Sequence, residues 1–257
     1  MCINAIIFLR RRNYEKSILA DCSGGCTLQR FSIRAETSDC NGLLSPYEEN
    51  GEIKGLSTLV VRAALKQAGM EAIIKQYPFA RAYNMTQKTE NIFEYCVVKT
   101  PERTLLFKWV GIVGPAVQAI FVPKDKNIKI DKPEKLKGYR IGTVIEDVVD
   151  QYLSARKDKL GLQLDRVSSY KSNMKKMLTG RVDLWGGNKL VGYHLAKELG
   201  YSEDAIKPVY IIDELTDHYY LVTGLKTSDK LVRKLRKTFE IIHNNGTYQK
   251  IVDEYFK

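Results

Sequence analysis

From Phe31 onward the chain alternates short apolar runs of strand length with amphipathic stretches of helical period, in two successive series. This alternation constrains the fold more than any other feature, because strands separated by helices pack as a helix-covered parallel sheet, the α/β class. In the first series residues 31–35 read as a strand and 37–51 as a polar loop holding Pro46 and Tyr47. Ser57 is placed to cap a helix through Leu59, Val60, Ala63, Ala64 and Ala68 that Gly69 ends. Residues 71–77 form a strand stopped by Pro78, a short helix passes through Arg81, and 92–98 and 117–122 are strands. The second series has strands at 139–144, 164–167, 182–185 and 209–212, with helices at 148–156, 173–179 and 190–199 between them. A last strand at 219–223 precedes helices at 229–242 and 247–256.

Two such series imply two lobes, and in open α/β sheets ligands bind in the crevice beyond the strand ends. The tract from Val97 to Pro115, VVKTPERTLLFKWVGIVGP, sits at such a strand end. Pro101 lacks an N–H and turns the chain there. It leaves Arg103 at the start of a short helix, where backbone N–H groups and a guanidinium converge on one anion. Arg binds a carboxylate with two parallel hydrogen bonds, which Lys does not. Periodicity alone does not choose between a two-lobed enzyme and a two-lobed binding protein.

At 257 residues the chain has material for one large or two smaller domains, and 44% hydrophobic with 28% charged residues is ordinary globular composition. The formal charge of +11 is spread along helical stretches such as 171–176 and 226–237, without a helix-turn-helix, zinc-finger or RRM signature. A basic solvated surface that favours anionic ligands is expected, with no nucleic-acid partner. Of the cysteines, Cys96 reads as a buried small hydrophobe, and a disulfide among Cys22, Cys26 and Cys40 requires an exported protein. No metal site and no cofactor are expected: Cys22 and Cys26 lack His partners, and His194, His218 and His243 are isolated, the first and last on helices and His218 in a loop. In residues 1–30 Arg10–Arg12 follow the apolar run Ala5–Leu9 instead of preceding it, the wrong polarity for a secretory signal, so this segment is set aside as a leader of uncertain status. No run approaches the ~20 apolar residues of a membrane-spanning helix.

Five tracts, in order, resemble the family 3 extracellular solute-binding proteins, the polar amino-acid receptors of ABC importers. They are PYEENGEIKGLSTLVVRAAL (46–65), TPERTLLFKWVG (100–111), KPEKLKGYRIGTV (132–144), MLTGRVDLWGGN (177–188) and NNGTYQKIVDEYF (244–256). The resemblance covers about residues 31–257, and the tract Pro78-Phe79-Ala80-Arg81-Ala82 resembles one branch of the family. It implies an α/β, two-lobed, type II periplasmic-binding-protein fold. Lobe 1 would be 31–116 plus 217–257 and lobe 2 would be 117–216, with hinge strands near 117–122 and 211–215 and a ligand cleft between the lobes.

The resemblance makes Arg103 the residue that grips the ligand's carboxylate. Tyr47 and Phe79 are either apolar walls of the site or lobe packing, and Arg81 is either a binding residue or a surface ion pair. Two positions depart from the family pattern. Glu146 and Asp147 stand where a Gly-Thr pair usually opens the first helix of lobe 2, and Asp147 either faces the ligand or only caps that helix. Asn188 stands where an aspartate usually receives the α-amino group. These seven residues form the expected ligand-binding set, with no catalytic residue.

The same fold also carries cyclohexadienyl and arogenate dehydratases and sensing modules of signalling systems. A dehydratase needs a positioned general acid, and the spacing of Glu102, Glu146 and Asp147 singles out none. A sensor needs a signalling domain beyond Lys257. The expected function is therefore a monomeric, non-enzymatic receptor in the periplasm or on the extracellular face of a bacterial envelope. It would bind a small polar solute, an amino acid or another zwitterion, and deliver it to the membrane subunits of an ABC importer.

Overall fold

The computed structural model describes residues 3–10, 32–34, 47–49 and 52–255. The chain begins with β1 (Ile3–Arg10), β2 (Ser32–Arg34), β3 (Tyr47–Glu49), β4 (Glu52–Lys54), α1 (Leu56–Gln67), β5 (Ile73–Pro78) and α2 (Phe79–Lys88). There follow β6 (Ile92–Val98), α3 (Pro101–Thr104), β7 (Phe107–Ala116), β8 (Gln118–Pro123), β9 (Arg140–Val144), α4 (Val148–Ser154) and α5 (Lys157–Leu160). Then come β10 (Gln163–Val167), α6 (Tyr170–Leu178), β11 (Leu184–Asn188), α7 (Lys189–Glu198) and β12 (Ile206–Ile211). The last elements are β13 (Asp217–Gly224), α8 (Asp229–Asn244) and α9 (Thr247–Tyr255).

These strands form two sheets and a hairpin. The first sheet runs β2-β1-β6-β13-β7, with β5 also on β1; the second runs β10-β9-β11-β8-β12; β3 pairs β4. The second sheet has the parallel core that the alternation implies, since β9 pairs both β10 and β11 in parallel. In the first sheet every pairing is antiparallel. The reason is β1. It comes from the segment set aside as a leader, yet it lies between β5 and β6 and runs against both. Residues 3–10 are thus part of the sheet, which corrects that expectation for this stretch. Cys2, Cys22, Cys26 and Cys40 lie outside the described residues.

The chain passes between the sheets twice. It crosses first at Val117, between β7 and β8, and returns through Ile212–Thr216, between β12 and β13. The two crossings are stitched together, because Ile212 N–H donates to Gln118 O and Gln118 N–H donates to Thr216 Oγ1.

Local signals act much as the sequence suggests, with two exceptions. Gly69, at φ 63°, ends α1 in the left-handed conformation that glycine adopts without penalty. Ser57, however, does not cap α1. The cap lies two residues earlier, on Gly55 at φ 109°, and Ser57 is buried within the first turn. His218 begins β13 and is not in a loop; it hydrogen-bonds Asp217 at 2.7 Å. Cys96 is buried, as expected. Its φ of 68° accompanies the register shift between Tyr220 and Val222 on the facing strand, a β-bulge.

The core under the first sheet includes Leu56, Val60, Val61 and Ala64 of α1 with Leu235, Phe239 and Ile242 of α8. Phe239 packs so closely on β7 that a Cβ at Gly111 would meet its ring at 2.2 Å. A second cluster fills one face of the other sheet around Trp185, Phe121, Met174 and Leu195. A third, Phe79, Tyr83, Val97, Phe107 and Val222, lines the first lobe beside Arg103. Among the described residues no helix is long and apolar enough to cross a membrane.

Candidate ligand-binding site

Pro101 opens the single turn of α3, and Thr100 caps it by accepting from the Arg103 N–H at 3.3 Å. That turn folds the Arg103 side chain back into the protein, where the residue is only 1% exposed. Its guanidinium donates from Nη1 to Val98 O at 3.3 Å, from Nε to Gln151 Oε1 at 3.0 Å and from Nη2 to Glu146 O at 3.0 Å. The last two partners belong to the second lobe, so Arg103 bridges the crevice. Its carbon Cζ lies 5.4 Å from the Phe79 ring centre and 5.2 Å from that of Tyr83, within cation–π range. Among the described residues no carboxylate lies within ion-pair distance of this guanidinium. A buried charge satisfied only by neutral acceptors is incompletely compensated.

The second-lobe wall is built on one carboxylate. Asp150 is fully buried and accepts from Thr143 Oγ1 at 2.7 Å, from Glu146 N–H at 3.1 Å and from Arg166 Nε and Nη2 at 2.8 and 2.5 Å. This two-pronged Arg–carboxylate pair locks the turn after β9. Glu146 adopts φ 67° there, a left-handed conformation that costs a residue with a Cβ about 1–2 kcal/mol. The turn aims the Glu146 carbonyl at Arg103, while the Glu146 carboxylate accepts from Gln151 Nε2 at 2.9 Å.

Asp147 follows as the N-cap of α4 and accepts from Val148 N–H at 2.6 Å. Burial pushes its carboxyl above the ordinary range, against the pull of a Tyr170 hydrogen bond and the Arg103 charge. Asn188 caps α7 in the same manner, its Oδ1 accepting from Leu190 N–H at 3.0 Å and Val191 N–H at 3.3 Å.

Among the expected residues, Phe79 and Arg103 meet directly, and Glu146 reaches Arg103 from across the crevice. Asp147 and Asn188 stand at the same end of the second sheet, where β9 and β11 finish. Arg81 is not brought to Arg103. Two residues from Phe79, it lies on another face of α2, exposed and with Cζ 4.5 Å from the Tyr77 ring centre. Tyr47 lies in β3 opposite Lys54, and its side chain is outside the described residues. Trp109 packs edge-on between Phe107 and Tyr220.

Sequence reasoning missed Tyr83, Gln151 and the Asp150–Arg166 pair. Tyr83 was within reach, since it stands four residues after Phe79 and so on the same helix face, stacked at 5.7 Å. Burial raises the pKa of its hydroxyl. The Asp150–Arg166 pair carries no local signal, because β10 supplies the arginine from the adjacent strand. Among the described residues no group of three His, Cys, Asp or Glu side chains is arranged to hold a metal ion.

Comparison with known proteins gives a consistent picture. The family model for bacterial extracellular solute-binding proteins, family 3, matches residues 42–257. Over 244 residues the chain is 23% identical to a Bacillus subtilis (strain 168) protein named probable amino-acid-binding protein YxeM, spanning 93% of this chain and 90% of that one. The solved structure of an ancestral arginine-binding protein bound to arginine superposes with a TM-score of 0.70 at 22% identity, over 82% of this chain and 92% of the other. A histidine kinase sensor domain similar to periplasmic binding proteins superposes equally well, with a TM-score of 0.70 at 15% identity over 82% and 90% of the two chains. At such identities these structures speak to the fold alone: the expected two-lobed α/β architecture with a crevice between the lobes.

Proposed function

This chain belongs to the bacterial extracellular solute-binding proteins, family 3, and from that premise we propose that its crevice captures an amino acid or similar small polar solute by an anionic group held at Arg103. One observation carries this reading. A buried guanidinium spans both walls of the crevice and has no carboxylate partner among the described residues. Of its five N–H donors, three are engaged; the other two suit a carboxylate, and the faces of Phe79 and Tyr83 support the ligand's apolar part. The name of the Bacillus subtilis relative and the arginine in the ancestral structure support the amino-acid class.

In this reading the first lobe comprises the residues up to 116 together with 217–257, and the second comprises 117–216. The solute stabilises the closed form because it binds both walls at once. The protein then works as a monomer at the outer face of a bacterial envelope and delivers its solute to the membrane subunits of an ABC importer. Its role is binding, not catalysis. Asp147 serves as the N-cap of α4, accepting from Val148 N–H.

A thermal-shift screen of amino acids, small carboxylates and amines, with native mass spectrometry of the purified protein, tests the reading. A true solute at 100 times its Kd adds about 2.7 kcal/mol of stability. A screen in which no small polar solute shifts the transition or adds mass contradicts it.

A further inference from the structure

We propose that Asn188 reads the second polar group of the solute as a hydrogen-bond donor only, so that this crevice selects solutes carrying an oxygen acceptor at that point over those presenting an ammonium there. The inference deepens the proposed solute-binding function and rests on it.

Asn188 is 3% exposed, and its two side-chain atoms have different fates. Oδ1 is committed to the backbone, accepting from the N–H groups of Leu190 and Val191 at the start of α7. These two donors also fix the orientation of the amide, since the flipped form would set an NH2 against two N–H groups. Nδ2 is therefore what remains. It is buried and has no hydrogen-bond partner among the described residues. Buried amide donors are almost always satisfied, so an orphan invites a specific explanation.

The location of this orphan supplies one. Asn188 is the last residue of β11, paired with Gln118 at the start of β8, and the next N–H, of Lys189, donates to Val117 O at 2.8 Å. It therefore stands beside the Val117 crossing between lobes. β11 runs parallel to β9, whose end leads into Glu146 and Asp147, and the Glu146 carbonyl meets Arg103. Asn188 thus shares the crevice end of the sheet with the residues that face Arg103. Trp185 Nε1, by contrast, belongs to the apolar cluster behind the sheet.

A donor on Asn188 and the free donors of Arg103 together call for acceptors at two points of the solute. A carboxylate at Arg103 and a hydroxyl, keto, acyl or second carboxylate oxygen at Asn188 satisfy both. An α-ammonium at Asn188 would set donor against donor.

Calorimetry with matched solutes tests this: an α-amino acid, its N-acetyl derivative and the 2-hydroxy acid of the same side chain. The wild-type protein should bind the 2-hydroxy or N-acetyl member at least tenfold more tightly than the free amino acid. The Asn188→Asp variant keeps an oxygen to cap α7 and replaces the donor by an anion, so the preference should reverse. Should that variant fail to fold, Asn188→Ser retains a capping oxygen, lacks the amide donor and should reduce the discrimination. Wild-type preference for the free amino acid, or a preference ratio in both variants within twofold of wild type, overturns the inference and leaves the receptor reading standing. Absence of binding by every small carboxylate overturns both.

Discussion

Arg103 of the first lobe and Gln151 of the second are joined across the crevice by a 3.0 Å hydrogen bond from Nε to Oε1. The same glutamine donates to the Glu146 carboxylate, so one neutral side chain ties Arg103 to the opposite wall. Gln151 offers Arg103 an oxygen acceptor but no charge. In the proposed function a solute carboxylate would add the charge that the glutamine lacks and so favour closure around solute over closure without it.

Removing that bridge should loosen the unliganded protein. Gln151→Ala deletes the contact to Nε and the support of Glu146, and small-angle scattering without solute should show a larger radius of gyration than for the parent. Equal radii for the two proteins would show that the bridge does not hold the lobes together.

Arg103→Lys should weaken solute binding by at least tenfold, because a lysine cannot reproduce the forked geometry. It should also lower stability without solute by about 1–3 kcal/mol, since Val98, Gln151 and Glu146 lose their buried donor. Urea titration and calorimetry read the two effects separately. Unchanged affinity would remove Arg103 from the site.

The turn after β9 predicts a contrast between two variants. Glu146→Gly and Glu146→Ala both lose the carboxylate bonded to Gln151, but only glycine adopts φ 67° without a penalty. The glycine variant should therefore be the more stable by about 1 kcal/mol in urea unfolding. Equal stabilities would mean that the turn relaxes to another conformation at no cost.

Asp147 sets a pH dependence. Burial is the largest influence on its carboxyl and raises its pKa in the folded protein above the ordinary 3.8. The folded state then binds more protons than the unfolded state, so this group's contribution falls as pH rises from about 3.8 through the folded value. Asp147→Asn keeps the capping oxygen and cannot ionise. Its stability advantage over the parent should widen from pH 4 to pH 7 in calorimetric scans; a gap that stays constant or narrows contradicts the assignment.

Local chemistry made much of this legible. Pro78, Pro101 and Gly69 bound their elements where their backbone constraints require, and Pro101 correctly marked the turn that carries Arg103. For Asp147 the sequence left a cap and a ligand-facing role open, and the structure shows the cap geometry. What stayed hidden depends on pairing between distant segments. The run Ile3–Arg10 looks like a failed signal until β5 and β6 are seen to flank it. Gln151 looks like one more polar residue on a helix until lobe closure sets it against Arg103, 48 positions away. Arg81, read from sequence as either a binding residue or a surface ion pair, is turned by helical geometry onto Tyr77.

The central claim is that Arg103 holds the anionic group of a solute between the lobes. A crystal structure of the protein with the solute found by screening tests it most directly. The account predicts an anionic group of the solute within about 3 Å of the Arg103 guanidinium, with its apolar part against Phe79 and Tyr83. A solute bound elsewhere, with Arg103 still bonded only to Val98, Gln151 and Glu146, would contradict it.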